Sequence, residues 1–545
     1  MKTTKFLLTA ALALAFAACS NDDNDMQTPA QPQQAEGIPF TATISIGESA
    51  ATRALSESGS DLVASWAVGE KVALIHNGVN DEMEVESVSG GVATISGTLK
   101  VFPSDGDDVT VIYPSSAAAD DATGNVKPDL LYAQNGGTLA DVAANYEVRK
   151  GTGTLKVDGT ATLDGYVSLE NQFSIFKFTL DDGSGPIAAT SFTFTYGEQD
   201  YVVTPGSATS TLYVALPVLT ASTYFFIAEV GSDSYIAKAT VSAATSAGNY
   251  YDVPVSMTKR TVVDLSFSDD YTAQNGDILT GDCNHYAKIS IADGAIVTLR
   301  NVSISNEVRQ AGLTLLGDAT IILESTNSVE CYDEDGQPQR PGIYVLDCST
   351  LTIGGTGSLT AKGKTGIGAY YENSCGNITI CGGTVDATGY NGAGIGGCSD
   401  GDCGDITISG GTVTATSLDG SSAGIGSGYE TSCGDITISG GTIIATGSYA
   451  AAGIGSGFDE SSCGKITISG GTIIATGSYG AAGIGSGYSG TCGDITITNG
   501  VTKVTATKGS DAPDSIGAGF NGSCTGVTIG GVVGAISDDT YTYMP

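Results

Sequence analysis

Cys433-Gly-Asp-Ile-Thr-Ile-Ser-Gly-Gly-Thr-Ile-Ile-Ala-Thr-Gly447, followed after four variable residues by Ala452-Gly-Ile-Gly-Ser-Gly-Phe458, is one unit of a repeat. Equivalent units begin at Cys375, Cys403, Cys463, Cys492 and Cys524, about 30 residues apart. Each holds three short apolar stretches divided by glycines, and none keeps a helical period. That grammar predicts a right-handed parallel β-helix with three strands per coil, not helical or leucine-rich repeats. Weaker units at 295–299, 313–316 and 351–353 extend it, so the rod spans 262–545. About nine coils at a strand spacing of ~4.8 Å make it roughly 40–45 Å long.

Stacked coils place equivalent residues above one another, so columns of the repeat read as ladders. Ile406, Ile436, Ile466 and Ile495 point inward, as do Ile408, Ile438, Ile468 and Ile497. Between them Thr379, Thr407, Thr437, Thr467, Thr496 and Thr528 point outward, either as solvated β-branched residues or as a hydroxyl ladder for a polysaccharide. A second column, Ile367, Ile395, Ile425, Ile454, Ile484 and Ile516, is flanked by glycines that turn tight corners. Four residues after each stand Tyr371, Ser399, Tyr429, Phe458, Tyr488 and Phe520. These five aromatics are candidate glycan-binding residues; the competing reading is a stacked ladder that caps a corner. Asp405, Asp435 and Asp494 share an outward column with Asn377 and Lys465, the pattern of a tolerant surface position.

Residues 38–257 follow a different grammar of short alternating strands broken by Gly, Asp, Ser and Pro. Examples are 40–46, 71–75, 109–113, 173–178 and 212–216. Period-two alternation of this kind predicts two antiparallel β-sandwiches in tandem, dividing near Val167, with no helix. Trp66 reads as a core aromatic, with a binding platform as the alternative. The whole chain is therefore expected to be all-β.

This region resembles the fimbrillin-like family of Bacteroidota surface lipoproteins. The resemblance rests on the first strand at 38–46, Ala51-Thr-Arg-Ala54, Trp66-Ala-Val-Gly-Glu-Lys-Val-Ala73 and Tyr113-Pro114. It implies that an Arg-directed protease cuts after Arg53 and removes the first strand, and that a strand from another subunit fills the groove. The repeat resembles β-helical carbohydrate-binding domains of bacterial surface proteins, a likeness informative about fold more than ligand.

The beginning of the chain indicates a compartment. Residues 1–18 carry Lys2 and Lys5, an apolar core and Ala17-Ala18, the layout of a signal peptide. With Cys19 next, the junction resembles a bacterial lipobox, so Cys19 is expected to be lipidated. Residues 19–37 form a polar tether whose Ser20-Asn21-Asp22-Asp23 resembles the export signal for the outer face of the outer membrane.

Composition removes several function classes. The 545 residues contain 22 Lys and Arg against 59 Asp and Glu, a net charge of −37, which opposes nucleic-acid binding. Two histidines and no CxxC pair leave no zinc signature. Eleven cysteines remain beyond Cys19; six share one column, where in-register Cβ atoms lie too far apart for easy disulfides, so stacked free thiols are expected. Asp333-Glu334-Asp335 with Arg340, and Asp400-Gly-Asp402, are the densest charged clusters of the rod, read as solvated loops with calcium as their functional rival. No convergent carboxylates or nucleophile motif mark a catalytic centre.

The sequence thus predicts a non-enzymatic, lipid-anchored surface protein for adhesion or glycan capture, as a fimbrial tip or accessory subunit. The alternatives are a carbohydrate-binding lipoprotein that never polymerises and a β-helical polysaccharide-degrading enzyme. Expected partners are a glycan or other host or bacterial surface ligand, the membrane through the anchor, and fimbrial subunits through strand exchange.

Overall fold

The computed structural model describes residues 38–45, 56–58, 61–63, 66–89, 91–197, 199–267, 270–283, 287–306, 310–332 and 338–545. The signal peptide, Cys19, the tether, Arg53 and the cluster at 333–335 lie outside them. The described residues are almost entirely β, with two antiparallel units followed by a parallel β-helix.

In the first unit, Ile38–Ser45 runs antiparallel to Val92–Leu99 and parallel to Tyr166–Ser168. Its alternation puts Phe40, Ala42 and Ile44 into the core. Hydrogen bonds continue through Val79–Ser89, Lys71–His76, Asp108–Tyr113 and Arg149–Asp158, and Thr160–Leu163 joins the last of these back to the first strand. The sheet thus closes on itself through Thr160–Leu163, and the short strands Tyr166–Ser168 and Glu170–Asn171 remain at its edges. Trp66 is buried at 2% exposure, its ring edge-on to Tyr113 at 4.9 Å, so it is a core residue.

The second unit packs a sheet of Thr211–Leu216, Ser174–Asp181 and Tyr250–Ser256 against a six-stranded sheet. Phe178, Phe192, Phe194 and Phe226 interlock between them, with centroids 5.1 Å apart for Phe178 and Phe192. The boundary is not a single cut near Val167. Ala133–Gly136 crosses over to run parallel with Gln199–Pro205, and the helix Leu139–Asn145 puts Val142 into the second core. Thr138 and Asp141 form a reciprocal capping box at its start. Two turns are too short to show a helical period, which is why the alternation pattern predicted none.

The rod stacks three parallel strands per coil. One coil consists of Ile436–Ile438, Thr442–Thr446 and Ile454–Gly455, each in register with its equivalent above and below. The third stack contains ten strands, from Tyr271–Ala273 to Ile516–Gly517, one more than the sequence period suggests. Both isoleucine columns and the cysteine column fill the interior. At the far end Thr540–Tyr543 returns antiparallel along Lys503–Thr507, and Ile536 bridges Ile516. This return covers backbone that a further parallel coil would otherwise extend.

The rod is not merely tethered to the second sandwich. Thr258–Lys259 closes one edge of the six-stranded sheet, and Thr261–Asp264 begins the rod immediately afterwards. Phe225 and Ile236, on the outer face of that sheet, bury against Ile296, Ile322 and Cys381 of the rod. Lys238 Nζ donates to Thr320 Oγ1 at 2.6 Å, and the hydroxyls of Ser222 and Ser409 meet at 2.7 Å. The first coils thus lie flank-on against the sandwich.

Candidate ligand-binding ridge

The ridge arises from the corner after each third strand. Gly368, Gly396, Gly426, Gly455, Gly485 and Gly517 follow the inward isoleucines, with φ between +131° and +142°. A Cβ on Gly426 would strike the carbonyl of Gly455 in the next coil, so only glycine fits. Next in the chain, Ser427, Ser456 and Ser486 are fully buried. Ser427 Oγ accepts the N–H of Gly457 at 2.9 Å, and Ser456 and Ser486 repeat the contact with Gly487 and Gly519 at 3.0 and 2.8 Å. These bonds lock successive corners together and bring the following aromatic residues into line.

Tyr429, Phe458, Tyr488 and Phe520 form a continuous ladder with neighbouring centroids 5.8, 5.5 and 5.1 Å apart. Tyr371 stands apart, with Ser399 between it and the ladder, and takes Lys364 Nζ over its ring at 4.6 Å. Tyr429 stacks on Phe458 and Tyr488 on Phe520, while Phe458 and Tyr488 are tilted at 52°, so the stacked pairs cover part of one another's faces. Two tyrosines that the column did not single out lie beside them. Tyr449 meets Phe458 edge-on and Tyr479 lies nearly parallel to Tyr488, each at 6.4 Å. They are 67% and 50% exposed, which makes them the most accessible rings of the ridge. Their signal was present in the repeated Gly-Ser-Tyr of two adjacent units.

Carboxylates rim this corner. Glu372, Asp400, Glu430 and Asp459 occupy equivalent turns with φ between +52° and +59°. A hydrogen bond to Glu430, then burial and the charges of Glu430, Asp459 and Asp400, raise the Tyr429 hydroxyl to about 12. Among the described residues no group of three or more His, Cys, Asp or Glu is placed to hold a metal. Asp402 of the Asp-Gly-Asp cluster instead accepts the N–H of Ser432 at 2.7 Å.

The aspartate column corrects its sequence reading. Asn377 Oδ1 accepts from Asp405 N at 2.9 Å, Asp405 from Asp435 N at 2.8 Å, and Asp435 from Lys465 N at 2.7 Å. At Asn377, Asp405 and Asp435 the side chain thus satisfies the next coil's backbone, a structural role, whereas Asp494 accepts the Thr525 hydroxyl at 2.6 Å and Lys465 has no acceptor to offer. The threonine ladder Thr379 to Thr528 is half-exposed, but its continuation, Thr352 and Thr320, is buried. The nine cysteines from Cys348 to Cys524 are free thiols, and Cys348 is the exposed one.

A β-helix repeat family model matches residues 378–401, 406–429, 436–458 and 466–488, the regular coils of the rod. Solved structures similar to the N-terminal half include a candidate cell adhesion protein from Bacteroides ovatus, at 11% identity, 41% of this chain, 96% of that chain and TM-score 0.27. Another, from Bacteroides uniformis, has 12% identity over 42% of this chain and 99% of that chain, with TM-score 0.26. The tip fimbrial protein Mfa3 from Porphyromonas gingivalis, with C-terminal truncation, has 9% identity over 41% of this chain and 98% of that chain, with TM-score 0.22. No curated protein matches the sequence.

Proposed function

We propose that this chain is a cell-surface lipoprotein that captures a glycan for adhesion, bound to the outer membrane through Cys19. The supporting observation is the pair Tyr449 and Tyr479, exposed at adjacent coils beside a rigid ring ladder. Sugar rings stack on such exposed aromatic faces, and successive coils offer them at a repeat of about 4.8 Å. The role assigned to the ridge is binding, not turnover. A glycan array probed with the full chain tests it. Bound sugars should be lost in Tyr449→Ala/Tyr479→Ala while the thermal transition is kept; unchanged binding in that variant overturns the reading. Mass spectrometry of the mature N-terminus should find a diacylglyceryl group on Cys19.

A second reading, assembly as a fimbrial tip or accessory subunit, is favoured by the first strand. Ile38–Ser45 is hydrogen-bonded on both sides and buries Phe40, Ala42 and Ile44. Removing it after cleavage at Arg53 would leave an apolar groove with unpaired backbone, a receptor for an incoming strand. N-terminal sequencing of protein sheared from cells distinguishes the cases: a chain starting at Ala54 supports assembly, and one starting at Cys19 supports a lipoprotein that does not polymerise.

A further inference from the structure

The early coils depart from the repeat at one place where the departure makes a cavity. In the third stack Ser290, Thr314 and Tyr344 are in register, and from Gly368 onward the same position is glycine. Side chains at this corner are thus confined to the first coils. There a cleft of about 530 Å³ opens, lined by Lys288, Gln310, Thr314, Arg340, Tyr344 and Tyr370. Its size lies within the range of small-ligand sites.

Three features of the cleft define its ligand. Arg340 lies over the Tyr370 ring, its guanidinium carbon 3.8 Å from the centroid. A guanidinium packed on a ring at this distance can still direct its N–H groups to a carboxylate in a bidentate contact. Lys288 lines the same cleft, and among the described residues neither cation is in a salt bridge. Two cations converging on one cleft is notable in a chain of net charge −37. Finally, among the described residues Gln310 Oε1 is buried with no hydrogen-bond partner, an acceptor open to a donor from a bound molecule.

We infer that this cleft binds a carboxylated sugar, a uronate residue within a glycan. Its carboxylate pairs with Arg340 and Lys288, and one of its hydroxyls donates to Gln310 Oε1. A simple carboxylate would satisfy the cations but has no hydroxyl to donate to Gln310 Oε1. The site is separate from the tyrosine ridge, so either can fail without the other.

Isothermal titration of the full chain with trigalacturonate, and with its methyl ester, tests the inference. The acid should bind, and the neutral ester at least tenfold more weakly. Arg340→Gln should weaken acid binding at least tenfold while glycan-array signals that depend on Tyr449 and Tyr479 persist. If Arg340→Gln does not fold, Lys288→Gln, at an exposed position, serves in its place and should weaken acid binding several-fold. Absence of acid binding at millimolar concentration, equal binding of the ester, or unchanged affinity in the folded cation variants overturns the inference.

Discussion

The N–H of Asp435 donates to the carboxylate of Asp405, one coil earlier, at 2.8 Å. Asn377 plays the acceptor for Asp405 itself, so amide and carboxylate serve equally at this column. Asp405→Ala should cost about 1 kcal/mol, the usual worth of such a bond, and Asp405→Asn almost nothing. Urea midpoints of the two variants check this. Equal midpoints for Ala and Asn would return the column to a tolerant surface.

Gly426 and Gly534 have similar backbone angles, +136° and +145°, but different surroundings. A side chain on Gly426 meets the carbonyl of Gly455, whereas Gly534 has nothing within 4 Å. Gly426→Ala combines strain with a backbone clash and should cost about 3 kcal/mol or more; Gly534→Ala should cost only the strain, about 1–2 kcal/mol. Comparison of their thermal transitions would show whether the steric or the conformational component dominates.

Phe225 is the hydrophobic anchor between sandwich and rod, and Gly354 leaves room for it: a Cβ there would strike the ring. Phe225→Ala should cost about 3 kcal/mol. Gly354→Val should wedge the two units apart while each keeps its own core. Limited proteolysis between residues 257 and 261 reports the opening, and resistance equal to the parent chain would show that the contact is dispensable.

Acid should loosen the same contact. Burial raises the Glu324 carboxyl, but the hydrogen bonds and charges of Arg300 and Arg260 outweigh it and leave the group below its ordinary value of 4.5. A carboxylate held low contributes stability that is complete above its unfolded value and lost as pH falls through the folded one. Glu324→Gln should therefore destabilise the protein at neutral pH, and the difference from the parent should shrink below about pH 4. Denaturation curves at pH 7 and pH 3 test the sign.

The thiols should be silent except at one position. Cys381 and the column from Cys375 to Cys492 are enclosed in the rod, so access by the reagent limits them. Folded protein should react quickly with a thiol reagent at Cys348 and slowly at half-exposed Cys524. Cys348→Ser should abolish the fast phase; rapid labelling of Cys403 or Cys433 would contradict the enclosed column.

What the period of about 30 residues predicts, it predicts well, because a residue in a parallel β-helix packs against its own equivalent one coil away. The rod, its inward isoleucines and the aromatic column are therefore visible in the repeat itself. The alternation of Phe40, Ala42 and Ile44 likewise places their side chains in a core without any knowledge of the partner strands. The same repeat hid the aspartate ladder, since interchange of Asp, Asn and Lys resembles tolerance until the bond to the next coil's backbone is seen.

Other features belong to tertiary structure alone. Lys238 meets Thr320 across 82 positions and Ser222 meets Ser409 across 187, between units that share no period. Ala133–Gly136 leaves the first sandwich for the second, and nothing in four residues announces it. The cleft likewise assembles Lys288, Gln310 and Arg340 from irregular coils where equivalence breaks down. Local pattern encodes which face of a strand is buried, because alternation and turn chemistry act within a few residues. Which buried or uncharged surfaces meet, and which cations converge on one cleft, depends on the packing of whole units, and only the folded chain decides it.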